Sequence, residues 1–210
     1  MAILKHISVK NRFYSSAVEY LTCQFDEYTN KPVLDEKGRI QERENYLIAG
    51  VNCDVDSFGA ECIEVNRLYG KNNSIKDVKA HHYIISFEPN DPITMEQALE
   101  FGKQWLSVFA PGHQAVVAVH PDGHNGSQNM HVHMVINSVR KYAGKQSRWH
   151  EKPCEWKQGC KHKSTGKMMF HAKKWVMEKC IRLGLGQVDL LAKPLVITRQ
   201  RIAAYVRVST

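Results

Sequence analysis

A chain of 210 residues with a formal net charge of +8 has room for one domain with a substantial core and at most a small appendage. No apolar run reaches the length of a membrane span and the N-terminal residues carry no signal-peptide pattern, which excludes a helical membrane protein and sets the expectation of a cytoplasmic one. Its six cysteines (Cys23, Cys53, Cys62, Cys154, Cys160, Cys180) are then expected as reduced thiols rather than a disulfide framework. The charge is uneven: residues 1–110 hold 12 Lys+Arg against 16 Asp+Glu, and residues 111–210 hold 17 against 5. A basic half of this strength points to a polyanionic partner, nucleic acid being the commonest.

In chain order, residues 3–9 suit a first strand. Ser16 and Glu19 fit a capping box, predicting a helix from there to about residue 28. Val18, Leu21 and Phe25 would share its apolar face and Tyr20 would lie off it. Residues 29–45 are polar, with Pro32 and Gly38, and suggest a turn or exposed hairpin. Tyr46 to Val51 reads as a short strand, Phe58 to Tyr69 as a helix and Lys79 to Phe87 as a strand. Thr94 and Gln97 form a second capping box opening a helix to about Phe109, with Ala98, Phe101, Trp105, Leu106 and Phe109 facing a sheet. Pro111 and Gly112 stop it.

The next segment carries the chemistry. Residues 113–120 are a short apolar run ending on His120. Residues 121–129 hold two glycines, two asparagines, a proline and an aspartate, a hairpin loop by composition. Beyond it the sequence alternates: Met130, Val132, Met134 and Ile136 point one way, and His131, His133, Val135 and Asn137 the other. If the two strands pair, His120 approaches His131 and His133, and three neutral imidazoles make a divalent-metal site of the catalytic kind. A helix follows at residues 170–183. The element order predicts an α+β domain: a central, mainly antiparallel sheet with helices on one face and a His-lined metal site on the other.

A divalent cation beside a basic surface suggests phosphodiester chemistry. The nucleophile is metal-bound water, or a tyrosine that keeps the bond energy in a phosphotyrosine. Tyr14, Tyr20, Tyr28 and Tyr46 are the N-terminal candidates. Tyr20 is preferred, for a rigid helical backbone and a side chain off the core stripe.

On these residues the chain resembles the conjugative relaxases of the mobilisation P type, His-hydrophobe-His endonucleases, with nearest likeness to relaxases of integrative elements of Gram-positive bacteria. His120 and Asp122, then His131, Val132, His133 and Asn137, are similar to the family's third motif. Tyr20 to Thr22 resembles its first and His82 to Phe87 its second. The resemblance covers roughly residues 1–190, leaving 191–210 as a tail. It implies a site- and strand-specific nick at a transfer origin. Tyr20 would be the nucleophile, and His120, His131 and His133 the ligands of Mg²⁺ or Mn²⁺. Asp122 would orient a ligand or assist proton removal, and Asn137 would support the site. Single-stranded or melted origin DNA is the implied substrate, with accessory relaxosome proteins and a secretion coupling protein as partners. The loop before His131 is longer than the family's, and His124 within it is either an alternative ligand or a solvated loop residue.

Several features fit less tightly. Arg140, Lys141, Lys145, Arg148, Lys173 and Lys174, with Trp149, Trp156 and Trp175, would form a DNA groove with stacking surfaces, or the tryptophans simply pack locally. Cys154, Cys160 and His162, with His150 nearby, are candidate structural zinc ligands. Tyr205, Arg207 and Ser209 in the tail resemble the first strand of a serine recombinase. A basic nucleic-acid-binding module with a structural metal, or a nuclease using metal-activated water, are the competing readings.

Overall fold

The computed structural model describes residues 2–10, 14–26, 29, 31–121 and 129–192. In chain order its elements are β1 (Ile3–Val9), α1 (Ser15–Thr22), β2 (Leu47–Val51), α2 (Phe58–Leu68), β3 (Ala80–Ser86), α3 (Met95–Phe109), β4 (His113–His120), β5 (His131–Arg140) and α4 (Gly166–Arg182). The five strands make one sheet in the order β1-β3-β5-β4-β2, with every neighbouring pair antiparallel. β5 holds the centre because both of its faces can be buried: all its residues except His131 are.

One face is the main core. Tyr83, Ile85, Val117, Val119, Val132, Met134 and Ile136 meet α3 through Phe101, Trp105, Leu106 and Phe109, and α4 through Met168, Ala172 and Val176. α3 starts where expected, with Thr94 accepting from the Gln97 amide and the Gln97 side chain returning the bond. Gly102 lets it sit flush on the sheet: a Cβ there would lie 2.6 Å from Val132 Cγ1 and 2.8 Å from Val117 Cγ1.

The opposite face carries His82, His120, His131 and His133, as the register dictates. The two long helices therefore lie on one face and the site histidines on the other, as the pattern predicts. The histidine face has a partial cover of its own. Leu21 of α1 and Phe58 and Cys62 of α2 pack on Ala80, Val116, Ala118 and Val135.

The N-terminal helix departs from expectation. Tyr14, not Ser16, is its N-cap, and no side-chain cap bond forms. It ends at Thr22 because the next amides are taken by a β-like arm: Gln24 N–H donates to Gln41 O, Val33 N–H to Gln24 O and Asp26 N–H to Lys31 O. Phe25 thus leaves the helical stripe and pairs with Pro32 in that arm. Tyr14 anchors the helix start. Its hydroxyl donates to Lys79 O at 2.9 Å and lies 3.3 Å from Asn137 Oδ1, and it accepts from Asn66 Nδ2 at 2.7 Å.

A second set of histidines is built into the core face. His113 Nδ1–H donates to Asn137 O at 2.9 Å, His162 Nε2 meets the Tyr83 hydroxyl at 2.8 Å, and His6 Nε2 meets His81 Nδ1 at 2.9 Å. The candidate zinc ligands are not brought together. The His162 ring is turned into the core while Cys154 is exposed, and among the described residues no set of three or more His, Cys, Asp or Glu side chains stands as a ready-made metal cage. The tryptophans pack locally: Trp149 against Phe109, Trp175 against Phe101 and Trp156 on His150.

The tight α3–sheet seat gives a stability test. We expect Gly102→Val to overpack that interface and lower unfolding free energy by about 2–3 kcal/mol in urea titrations. A variant as stable as the parent would show that α3 can lift without loss.

Candidate active site

β4 and β5 place the three motif histidines. His120 stands directly opposite His131, and Ala118 opposite His133, so the ring of His120 meets that of His133 at a centroid separation of 4.6 Å. His131 and His133 follow at 6.2 Å. His120 and His133 are buried, at 3% and 5% exposure, and His131 is half-buried.

The ring nitrogens are committed in a way that sets tautomers. His120 Nε2–H donates to the Leu21 carbonyl at 2.8 Å, so its lone pair is on Nδ1. His131 Nδ1–H donates to the Asn129 carbonyl, so its lone pair is on Nε2. His133 Nδ1 lies 3.0 Å from His82 Nε2. Hydrogen bonds of this kind orient metal-binding imidazoles. The donor chemistry therefore fits a divalent ion, although bringing the rings to one point takes rotation of the side chains.

α1 brings Tyr20 to the same place. Leu21 is fully buried and fixes the helix on the sheet, while Tyr20 beside it is half-buried. Its ring centroid is 6.1 Å from that of His133 and 6.0 Å from that of His82, edge-on in both cases, and 5.4 Å from that of Phe25. Tyr14 is buried in the network described above. Tyr28, Asp122 and His124 lie outside the described residues, as does the tail from residue 193 with Tyr205, Arg207 and Ser209.

Two residues take places other than those expected. Asn137 is fully buried. At about 3.3 Å per residue it lies roughly 13 Å along β5 from His133, where its Oδ1 stands 3.3 Å from the Tyr14 hydroxyl and its Nδ2 donates to Gln114 Oε1 at 3.2 Å. It supports the anchor of α1 rather than the histidines. Arg140 is corrected more sharply. Its side chain is buried, and its guanidinium donates to the carbonyls of Pro111 and of Glu155, so it offers no surface to DNA. Lys141 is paired with Glu61 at 2.9 Å. Lys145, Arg148 and Lys174 are exposed and Lys173 half-buried. Residues 141–148 follow the far end of β5, about 30 Å from His131, and α4 lies on the opposite face.

Two cations of the acidic half act on the site histidines instead. Arg43 acts on His133 and Lys5 on His82, each adding to burial in holding the imidazole low. Arg43 is placed by its backbone N–H, which donates to Thr22 O at 2.9 Å. It lines a groove of about 610 Å³ with Gln24, Glu88, Pro121 and Met130, at the mouth of the β4–β5 pair. Sequence reading missed Arg43, for which no local pattern exists. It also gave no role to His82, although the alternation of β3 puts that ring on the site face.

The chain belongs to the relaxase family: the MobA/VirD2-like relaxase nuclease domain matches residues 28–165. Among individual proteins it is similar to the protein Rlx of Staphylococcus aureus, at 38% identity over 97 residues, covering 46% of this chain and 28% of that one. It is also similar to the group II intron-interrupted relaxase LtrB of Lactococcus lactis subsp. cremoris, at 40% identity over 99 residues, covering 47% of this chain and 15% of the relative. The chain thus matches less than a third of either relative's length. A solved structure described as the molecular basis of vancomycin resistance transfer in Staphylococcus aureus shares the fold, with a TM-score of 0.53 and 14% identity over 92% of this chain and all of that one. No helix among the described residues is long and apolar enough to cross a membrane.

Burial makes the fold sensitive to acid. It holds His133, His113 and His162 well below the ordinary imidazole value of 6.5, and His81 and His82 down to about 4. Folded-state values below the unfolded one mean that the unfolded chain takes up protons first. Stability is therefore complete above about pH 6.5 and is lost as pH falls toward 4. Each such histidine removes up to about 1.4 kcal/mol per pH unit in that window. Urea midpoints of the metal-free protein should drop steadily from pH 7 to pH 4, and a flat profile would contradict neutral burial.

Proposed function

We propose that this chain nicks one DNA strand at a transfer origin and carries the cut end as a phosphotyrosine, starting conjugative transfer. The observation that supports this best is the position of Tyr20, whose ring stands against His133 beside His120 and His131. In this reading the Tyr20 hydroxyl attacks the scissile phosphorus. The Tyr20 Oη–P bond forms, the bond from phosphorus to the 3′ oxygen breaks, the phenolic proton is passed to a base, and the departing 3′ oxygen takes up a proton from that base or from water. The product is a 5′-phosphotyrosyl end and a free 3′ hydroxyl. His120, His131 and His133 would hold Mg²⁺ or Mn²⁺, which when bound supplies charge to a non-bridging phosphate oxygen. Asp122, two residues beyond His120, is assigned to ligand orientation or proton removal.

Lys145, Arg148, Lys173 and Lys174, with Lys141, are assigned to phosphate contacts away from the nick. Single-stranded or melted origin DNA is the substrate, and accessory relaxosome proteins and a coupling protein are the partners that the family membership suggests. The cellular site is the bacterial cytoplasm, where such DNA is found.

Labelled single-stranded origin DNA with Mn²⁺ tests the reading. The parent should form an adduct that survives denaturing electrophoresis. Tyr20→Phe should fold, bind DNA and lower adduct yield by about three orders of magnitude or more. His131→Ala and His133→Ala should stop cleavage with little loss of DNA affinity, because Lys and Arg contacts to phosphate supply most of it. Cleavage without an adduct would point to metal-activated water, and an adduct on Tyr14, Tyr28 or Tyr46 would overturn the choice of nucleophile.

A further inference from the structure

We propose that His82 is a positioning residue for His133: it accepts the His133 Nδ1–H and so fixes the tautomer that presents His133 Nε2 to a metal ion. The inference rests on the three-histidine reading of the site and adds a fourth residue with a different task.

The geometry is direct. His82 Nε2 and His133 Nδ1 are 3.0 Å apart, the rings are 5.2 Å apart between centroids, and both residues are buried. Exactly one of the two nitrogens must carry the proton. If His82 donated, neutral His133 would keep its own proton on Nε2, and neither nitrogen could bind an ion. If His133 donates, its Nε2 lone pair is available. Only the second arrangement is compatible with a ligand role. His120 Nε2 and His131 Nδ1 face backbone carbonyls, which only accept. The His133 partner is a side chain that can do either, so its identity matters.

The sheet register separates His82 from the ligand set. His82 is opposite Val135 on β5, and His131 is opposite His120 on β4. Taking His131 as the origin, His133 lies about 7 Å along the strand and His82 about 13 Å along, one strand further over and on the side away from β4. His82 therefore stands behind His133 as seen from His120. That is the place of a residue that orients a ligand, a role whose loss typically weakens metal affinity 10–100-fold.

Two measurements on the metal-free full chain decide this. Long-range proton–nitrogen NMR of the unsubstituted protein should show His133 protonated on Nδ1 and bare on Nε2; the reverse tautomer overturns the proposal without any variant. Calorimetric titration with Mn²⁺ should then show affinity reduced 10–100-fold in His82→Leu, with most of it restored in His82→Gln, whose amide oxygen accepts from the same N–H. A folded His82→Gln as weak as His82→Leu overturns the hydrogen-bond account. A Zn²⁺-induced shift of the His82 nitrogens as large as that of His133 would make His82 itself a ligand and also overturns it. The controls separate the two levels of failure. Unchanged Mn²⁺ affinity in His131→Ala and His133→Ala sinks the three-histidine reading. Lost affinity in both, with parental affinity in His82→Leu, sinks this inference alone.

Discussion

One hydrogen bond joins the two halves of the site. His120, at the end of β4, donates from Nε2 to the carbonyl of Leu21, at the end of α1. The Leu21 side chain is packed between α2 and the sheet, so the acceptor is held in place. The residue before it is Tyr20. A single contact therefore sets the tautomer of a motif histidine and fixes the stretch of backbone that carries the nearest tyrosine. Being buried at 3% exposure, that contact does not compete with water, and leaving either partner unsatisfied would cost about 1–3 kcal/mol.

The two halves differ in stiffness. The motif histidines sit on β4 and β5, neighbouring strands that each pair with a strand on both sides. α1 spans only Ser15–Thr22, lacks a side-chain cap and has neither an acidic first turn nor a basic last one. A helix that short is not stable by itself. It owes its place to Leu21 in the core, the His120 bond at one end and the Tyr14 hydroxyl at the other. Asn137 belongs to this arrangement. It shares a strand and a face with His131 and His133, yet acts through Tyr14 on the helix start.

Much of this was legible in the sequence because strand patterning has a fixed period. Alternation along residues 130–137 put His131 and His133 on one face, and the composition of residues 121–129 implied the hairpin that sets His120 opposite His131. The limits of β1, β4 and α3 agree closely with expectation, the last because its capping box is complete. The misreadings share a cause, which is competition from distant partners. Gln24 and Asp26 would continue a helix, but residues 31–41 claim their amides. Arg140 looks like a surface cation beside Lys141, but strand parity turns it inward onto Pro111 and Glu155. His81 and His82, neighbours on a strand read correctly, send their rings to opposite faces, one to His6 and one to His133.

The same parity bears on the electrostatics. The basic half of the sequence contains the three motif histidines, which suggests a site set in a field of lysines. In the fold, β5 carries the chain about 30 Å from His131 before those lysines begin, and α4 puts Lys173 and Lys174 on the other face. At that distance exposed cations are screened, the Debye length being about 8 Å at physiological ionic strength. In the proposed reading, affinity for a long polyanion and charge at a reacting phosphate therefore fall to different groups. The first falls to Lys145 and Arg148, which are exposed. The second falls to groups at the histidines themselves, of which His82 and His133 are kept neutral by burial. Imidazoles held neutral, as His82 and His133 are, have little positive charge of their own to offer a phosphate, and Arg43 acts on His133 from the neighbouring groove. In the proposed reaction most of that charge has to arrive with the ion, which is why the tautomers of His120, His131 and His133 matter more to this site than the net charge of the chain.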